Sequence, residues 1–122
     1  MVFVYGTLMS GLDNHATLAG LGARFLCAAS IGGRLYICDD PALVLCDDGP
    51  RVLGEVYELP DEARALRVLD AFEDEGIVYA RRRCDVLTAT GSLCAFVYVT
   101  LMPIERCALV EGGDYRAFLA RS

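Results

Sequence analysis

Short apolar runs separated by turns recur along this sequence, and they constrain its fold more than any other feature. Apolar and β-branched residues bounded by Gly, Pro and Asp are typical of β-strands. The runs predict strands over residues 2–5, 24–30, 34–38, 52–59, 78–87 and 93–101. A shorter apolar run, 42–46, lies between two acidic turns, and Gly32-Gly33 favours a hairpin between the second and third strands.

One segment has the signature of an α-helix. Pro60, Asp61 and Glu62 place proline and acids where a helix N-terminus prefers them, and apolar residues at helical spacing follow through Phe72. A short closing helix is predicted over 115–120. Because strands dominate and do not alternate with helices, we expect an α+β domain with a mixed or antiparallel sheet. The length of 122 residues fits one domain, over residues 1–122.

Composition argues against several classes of function. The net charge of −6 disfavours a nucleic acid or an anionic membrane as partner, and no apolar stretch reaches the roughly 20 residues of a transmembrane helix. The six cysteines include no C-x-x-C pair and there is one histidine, so we expect no zinc site. The first residues lack the basic start of a secretory signal. We therefore expect a cytoplasmic protein with reduced cysteines.

The segment Tyr5-Gly6-Thr7-Leu8, called loop 5–8 below, ends the first predicted strand and is a candidate binding site. Gly6 allows the backbone to turn sharply and to approach a ligand closely. Successive N–H groups of such a turn can form a nest that binds an anion. The alternative is an ordinary turn between a strand and a loop.

Glu73 is a candidate general acid/base. It follows Leu69 by four residues, which puts it near the edge of the apolar face and in the last turn of the predicted helix. Partial burial and the helix macrodipole both disfavour an anion there and would raise the carboxyl pKa toward neutral pH, where proton transfer is effective. The alternative is a solvated glutamate in an acidic cluster with Asp70, Asp74 and Glu75.

Three other polar sites are weaker candidates. His15 is the single histidine and lies in a polar stretch, which favours a surface position. The run Arg81-Arg82-Arg83 on a strand sends Arg82 to one face and its neighbours to the other, and a solvated or ion-paired edge is expected. Glu55 is expected to face solvent.

Several motifs, in the same order along the chain, resemble the γ-glutamylcyclotransferase-like (AIG2-like) family and in particular its γ-glutamylamine cyclotransferase branch. The opening Phe3-Val4-Tyr5-Gly6-Thr7-Leu8, with Gly11 and Asn14-His15, is similar to the start of that branch. The later blocks are Gly54-Glu55-Val56-Tyr57, Leu69-Asp70-Ala71-Phe72-Glu73, Tyr79-Ala80-Arg81, Ala95-Phe96-Val97-Tyr98 and Gly113-Asp114-Tyr115. The resemblance covers nearly the whole chain.

The resemblance implies a fold and a set of site residues. The fold would be a small mixed β-barrel with one main helix, short peripheral helices packed outside and a cavity at one end. Glu73 would be the catalytic residue in that cavity. The residues implied to bind substrate are Tyr5, Gly6, Thr7, Leu8, Tyr79 and Tyr98.

The resemblance also implies a reaction. The α-amine of a γ-glutamyl substrate attacks its own γ-carbonyl, which forms 5-oxoproline and releases an amine. The reaction calls for no metal and no organic cofactor, and the implied partner is a small-molecule γ-glutamyl substrate. The leaving amine and the oligomeric state do not follow from the sequence. After Glu73, the segment Asp74-Glu75-Gly76 differs from the sequence of that branch. Its negative charge would influence which amine is accepted.

The sequence is compatible with two other functions. The chain could be a binding module that holds a γ-glutamyl or other carboxylate ligand on loop 5–8 without turnover. It could also be a hydrolase in which His15 activates Cys27, Cys38 or Ser10.

Overall fold

The computed structural model describes residues 1–121, in which strands predominate. The strands are β1 (Val2–Val4), β2 (Arg24–Ile37), β3 (Pro41–Leu45), β4 (Arg51–Glu58), β5 (Tyr79–Thr88), β6 (Gly91–Thr100) and β7 (Ala108–Leu109). The α-helices are α1 (His15–Gly20), α2 (Glu62–Phe72) and α3 (Tyr115–Ala120), and a 3₁₀ turn covers Glu111–Gly113.

Five strands close into a small barrel in the order β2-β4-β1-β6-β5, completed by the pairing of β2 with β5 at Ser30 and Leu87. β1 runs antiparallel to β4 and parallel to β6, so the barrel is mixed. β3 and β7 pair with the second half of β2. The expected α+β fold, a small mixed β-barrel with one main helix and short peripheral helices, is confirmed.

β1 is buried on both faces and lies between the two halves of the core. Val2 and Val4 pack in the apolar cluster that contains Leu66 and Leu69 of α2, whereas Phe3 packs in a second cluster with residues of the other barrel strands. Successive side chains of a strand point to opposite faces, so a strand in this position needs an apolar run without alternation. The core therefore fixes where β1 ends and where loop 5–8 begins.

β2 runs without a break through Gly32 and Gly33, so the predicted hairpin at this pair is wrong. The glycines are required by packing. A Cβ on Gly32 would lie 2.5 Å from the carbonyl oxygen of Cys46, and a Cβ on Gly33 would lie 2.6 Å from that of Val44. Only a residue without a side chain lets the neighbouring backbone approach so closely.

The helices follow the sequence prediction in part. α2 begins after Asp61, whose side chain accepts a hydrogen bond from the Arg64 N–H at 3.3 Å, as the acidic start predicted. α3 forms where a closing helix was expected, capped by Asp114. α1 was not predicted, because its six residues are too few for a periodic pattern. Its fully buried residue Leu18 attaches it to the core.

Cys38 and Cys107 form a disulfide, so the prediction that all six cysteines are reduced is wrong for this pair. Cys38 and Cys107 are 69 residues apart in sequence. They come together because their chain neighbours, Ile37 on β2 and Ala108 on β7, are paired. The free cysteines are Cys27, Cys46, Cys84 and Cys94. The cytoplasmic location stays a prediction. Within residues 1–121, no helix has the length and apolar content needed to cross a membrane.

Candidate active site

A cavity of about 240 Å³ lies at the end of the barrel where β1 and α2 finish and β5 begins. Every predicted site residue lines it, namely Tyr5, Gly6, Thr7, Leu8, Glu73, Tyr79 and Tyr98. These residues come from β6, from the start of β5, from the end of α2 and from the loop after β1. The fold thus gathers in one place residues that are distant in sequence.

Loop 5–8 presents a row of free N–H groups at the cavity. Within residues 1–121, the backbone N–H groups of Gly6, Thr7 and Leu8 have no acceptor, whereas all three carbonyls are engaged. Gly6 O accepts from the Met9 N–H at 3.1 Å and Thr7 O accepts from the Asn14 N–H at 3.0 Å. Unpaired consecutive N–H groups of this kind attract an anion.

Two neighbours fix the position of this loop. The His15 Nδ1–H donates to Leu8 O at 2.9 Å, and the Asn14 side-chain amide donates to the Thr7 hydroxyl at 2.8 Å. On the other side, a Cβ on Gly6 would lie 2.9 Å from Cγ of Pro41. Gly6 is therefore needed for the contact with Pro41 as well as for the approach of a ligand.

Glu73 follows α2 directly, at a helix end closed by a Schellman motif. The Glu75 N–H donates to Asp70 O at 2.9 Å and the Asp74 N–H donates to Ala71 O at 3.4 Å, which are the two hydrogen bonds of this motif. Asp74 has a φ of 49°, the left-handed conformation that the motif requires and that glycine usually supplies. The backbone around Glu73 is thus fixed while its side chain faces the cavity.

The environment of Glu73 raises the pKa of its carboxyl to about 7. Burial is the main cause, because it disfavours the ionised form, and the nearby carboxylates of Asp40 and Asp74 act in the same direction. In the described part of the chain, no donor hydrogen-bonds to the Glu73 carboxylate. The raised pKa agrees with the sequence-based expectation and suits an acid/base that works near neutral pH.

The tyrosine hydroxyls around the cavity are committed to protein acceptors. Tyr5 donates to the Tyr98 carbonyl, Tyr79 donates to the Pro41 carbonyl, and Tyr98 donates to the Asp70 carboxylate, each at 2.6 Å. Burial is the main reason that the pKa of each hydroxyl lies above its usual value. These tyrosines stay protonated and shape the cavity with their rings.

Asp70 and Arg81 form an ion pair next to the helix end that carries Glu73. The distance from Arg81 Nη1 to Asp70 Oδ2 is 2.7 Å, and the Arg81 guanidinium also lies 5.2 Å from the centre of the Phe96 ring. The ion-paired strand edge expected for the arginine run is confirmed at this position. The pair joins α2 to β5 and β6.

Sequence reasoning missed Asp40 and misjudged Glu75. Asp40 lies in the turn between β2 and β3, which the sequence identified only as a turn, and it lines the same cavity as Glu73. Glu75 was expected to add charge beside the cavity, but its carboxylate instead accepts from the Arg81 N–H at 3.1 Å. Turn composition indicates that acids occur in a loop and not which of them faces inward.

The expectation that Glu55 faces solvent is wrong. Its side chain is 15% exposed and accepts from the Ser10 N–H at 2.8 Å, the Ser10 hydroxyl at 3.1 Å and Arg116 Nη2 at 3.0 Å. The Tyr57 hydroxyl adds a bond of 2.9 Å. Burial by itself raises the pKa of Glu55, but the hydrogen bonds outweigh it and hold the pKa below its ordinary value.

The residues considered for a hydrolase do not form a nucleophile–base pair within residues 1–121. His15 is the first residue of α1 and is half-buried, contrary to the expected surface position, with Nδ1 bonded to Leu8 O. The Ser10 hydroxyl donates to Glu55 and Cys38 is in the disulfide. Cys27 packs against the barrel core. The geometry gives no support to this alternative.

The fold of this chain recurs in known proteins. The family model described as gamma-glutamyl cyclotransferase, AIG2-like, matches residues 2–117, and the chain belongs to this family. It is 38% identical over 114 residues to the gamma-glutamylaminecyclotransferase of Bos taurus, in a match that covers 81% of this chain and 64% of the bovine protein. This chain therefore spans less than two thirds of that relative.

Two further relatives are matched over a larger share of their own length. A putative gamma-glutamylcyclotransferase of Methanocaldococcus jannaschii is 28% identical over 120 residues, with 96% of each chain covered. The crystal structure of an AIG2-like protein from Mus musculus superposes with a TM-score of 0.76 and 30% identity, over 86% of this chain and 79% of the mouse chain. The fold is thus that of the family.

Proposed function

We propose that this protein cyclises a γ-glutamyl amine to 5-oxoproline and releases the free amine, with Glu73 as general acid/base. The observation that carries the proposal is a half-buried carboxylate that has no hydrogen-bond donor among residues 1–121 and faces the same cavity as three N–H groups unpaired within those residues. Membership of the cyclotransferase family and the similarity to the bovine protein support the same reaction.

The substrate is held by complementary charge. A γ-glutamyl group carries an α-carboxylate, an α-ammonium and a γ-carbonyl. We place the α-carboxylate on the N–H groups of Gly6, Thr7 and Leu8, which need an acceptor. The α-ammonium then faces Glu73, whose carboxylate needs a donor, and the rings of Tyr79 and Tyr98 enclose the methylene chain.

The chemistry needs no protein nucleophile, because the substrate supplies its own. Glu73 accepts a proton from the α-ammonium, and the freed amine attacks the γ-carbonyl carbon to form the ring C–N bond. Glu73 then donates that proton to the leaving nitrogen as its C–N bond breaks. The remaining extra proton on the ring nitrogen passes through Glu73 to the released amine. Holding amine and carbonyl together lowers the barrier by several kcal/mol.

Glu73 is better suited than the tyrosines to move these protons. Its pKa of about 7 lets it accept and donate near neutral pH. The hydroxyls of Tyr79 and Tyr98 are bonded to Pro41 and Asp70, and their pKa values are raised above the usual range, mainly by burial. Their role in the reaction is to fit the substrate.

The charge of the cavity favours a leaving amine that carries a second positive charge. Asp40, Glu73 and Asp74 line the cavity, and its lining in the described chain includes no arginine. A second ammonium on the leaving amine would lie near Asp40 and Asp74 and gain from their field. We therefore propose that γ-glutamyl conjugates of diamines are better substrates than conjugates of uncharged alkylamines.

A substrate panel tests the proposal. Release of 5-oxoproline is measured from γ-glutamyl amines and γ-glutamyl dipeptides, including a diamine and an alkylamine conjugate of equal length. We expect turnover of the amine conjugates by the wild type, with a higher kcat/KM for the diamine at low salt that declines as salt screens the charges. Equal rates for both conjugates would contradict the proposed amine preference.

The same panel separates the proposal from its alternative. Saturable binding of the γ-glutamyl compounds by calorimetry, with no 5-oxoproline from any of them, would overturn the enzymatic proposal and favour a binding module.

A further inference from the structure

Two side chains, those of Glu55 and Arg116, bind all three polar groups of Ser10, which lies two residues after loop 5–8. Its N–H and hydroxyl both donate to the Glu55 carboxylate, and its carbonyl accepts from Arg116 Nη2 at 2.7 Å. Arg116 Nη2 also lies 3.1 Å from the Ser10 hydroxyl and 3.0 Å from Glu55 Oε2. Every polar group of this residue is therefore paired.

Glu55 contacts the chain on both sides of loop 5–8. Its backbone is the β4 partner of Val4, the residue before the loop, and its side chain binds Ser10, two residues after the loop. Between these two points the carbonyls are engaged, and the N–H groups of Gly6, Thr7 and Leu8 have no acceptor in the described part of the chain. The direction of those N–H groups depends on how the two ends of the loop are held.

Neither Glu55, Arg116 nor Ser10 lines the cavity. Any effect of these residues on the substrate would therefore pass through the loop and not through direct contact. The network differs from an ordinary surface ion pair, because the Glu55 side chain is 15% exposed and accepts hydrogen bonds from three residues, Ser10, Tyr57 and Arg116.

We propose that Glu55 and Arg116 are positioning residues that hold loop 5–8 in the conformation that binds the substrate carboxylate. This inference rests on the proposed function for the identity of the ligand. It assigns a task to the C-terminal helix α3, which supplies Arg116 and has no fully buried residue of its own.

The first test is steady-state kinetics of Glu55→Gln on the preferred γ-glutamyl amine. The amide turns one acceptor into a donor that faces the donors of Ser10 and Arg116, so we expect KM to rise about tenfold, the size of one lost charge-assisted hydrogen bond. We expect kcat to change less than KM, because Glu73 is untouched. A fall in kcat at constant KM would overturn the inference.

Glu58→Gln is the matched control. Glu58 also lies on β4 and pairs with an arginine, Arg24, at 2.6 Å, but it does not contact the loop. Its KM should equal that of the wild type. An equal rise in KM in both variants would show an unspecific effect of lost charge and would contradict the proposal.

Substitution of Arg116 provides a second test, because this residue is half-exposed and its replacement leaves the core intact. One nitrogen of Arg116 makes all three contacts, and a lysine ammonium offers three protons for the same three acceptors. Arg116→Lys should therefore keep the wild-type KM, whereas Arg116→Met should raise it. The same KM in both variants would contradict positioning by this charge.

Amide hydrogen exchange makes the test independent of turnover. The Met9 and Asn14 N–H groups are bonded to Gly6 O and Thr7 O, so their protection reports the loop conformation. We expect faster exchange at both in Glu55→Gln and wild-type exchange in Glu58→Gln. Wild-type exchange in Glu55→Gln would overturn the inference. If the wild type is inactive on the whole panel but the two variants show the expected exchange, only the proposed function is contradicted.

Discussion

Two glutamates near loop 5–8 have opposite environments. Glu55 accepts four hydrogen bonds, and these bonds keep the pKa of its carboxyl low. Glu73 has no donor among residues 1–121, and burial raises its pKa to about 7. The same side chain thus serves as a fixed anion in one place and as a proton carrier in the other. What differs is the supply of donors, because both side chains are largely removed from water.

The comparison predicts the largest effect for Glu73→Gln. This variant should lose about 10² or more in kcat, since a general acid/base contributes about 10²–10⁴ in rate and an amide neither accepts nor donates the proton. The loss in Glu55→Gln should instead be in KM. Turnover of Glu73→Gln at the wild-type rate, with Glu58→Gln as the control for the loss of one carboxylate, would remove Glu73 from the reaction.

The two substitutions should change stability in opposite directions at pH 8. The pKa of Glu55 is lower in the folded state, so its contribution is present above about pH 4.5 and is lost as pH falls. Glu55→Gln should lower the free energy of unfolding by about 1–2 kcal/mol, after allowance for partial solvent screening.

The pKa of Glu73 is instead higher in the folded state. The folded state therefore loses stability as pH rises from about 4.5 to 7, and the full cost is present above pH 7. Glu73→Gln should raise the free energy of unfolding by about 1–3 kcal/mol at pH 8 and much less at pH 5. Urea unfolding at both pH values measures the effect. A change of the same sign in Glu55→Gln and Glu73→Gln at pH 8 would contradict the contrast between the two sites.

The smallest effect is expected from Asp40→Asn. Asp40 is the charge that raises the pKa of Glu73 most, ahead of Asp74 but after burial, so its removal should lower that pKa by less than about one unit. The base form of Glu73 begins the reaction, so kcat/KM should fall as pH drops below about 7 in the wild type, and at a lower pH in Asp40→Asn. Asp39→Asn, at an exposed neighbour that does not line the cavity, should keep the wild-type profile. An unshifted profile in Asp40→Asn would show that Asp40 does not contribute to the raised pKa.

Much of the fold could be predicted from local patterns. β1, α2 and the paired strands β5 and β6 lie within a few residues of their predicted bounds, because apolar runs and a helix start at Asp61 are local signals. The continuity of β2 could not be predicted, because Gly32 and Gly33 are set by the approach of carbonyls from residues 44 and 46. A turn and a close contact both need glycine, and the sequence does not distinguish them.

The candidate site, like the fold, could be predicted only in part. Loop 5–8 and Glu73 were identified from motifs that are contiguous in sequence. Asp40, the Cys38–Cys107 disulfide and the Glu55–Arg116 pair depend on contacts between distant segments, the last two separated by 69 and 61 residues. Such contacts leave no spacing or periodicity that one sequence could reveal.

The sequence alone determined the strand-rich fold class, the family to which its motifs point and the carboxylate expected to move protons, because each is written in neighbouring residues. Only the tertiary structure decided which polar groups are paired and which are free. That distinction depends on the donors that other strands and helices bring to each carboxylate, and it makes Glu55 a fixed anion and leaves Glu73 able to titrate near pH 7.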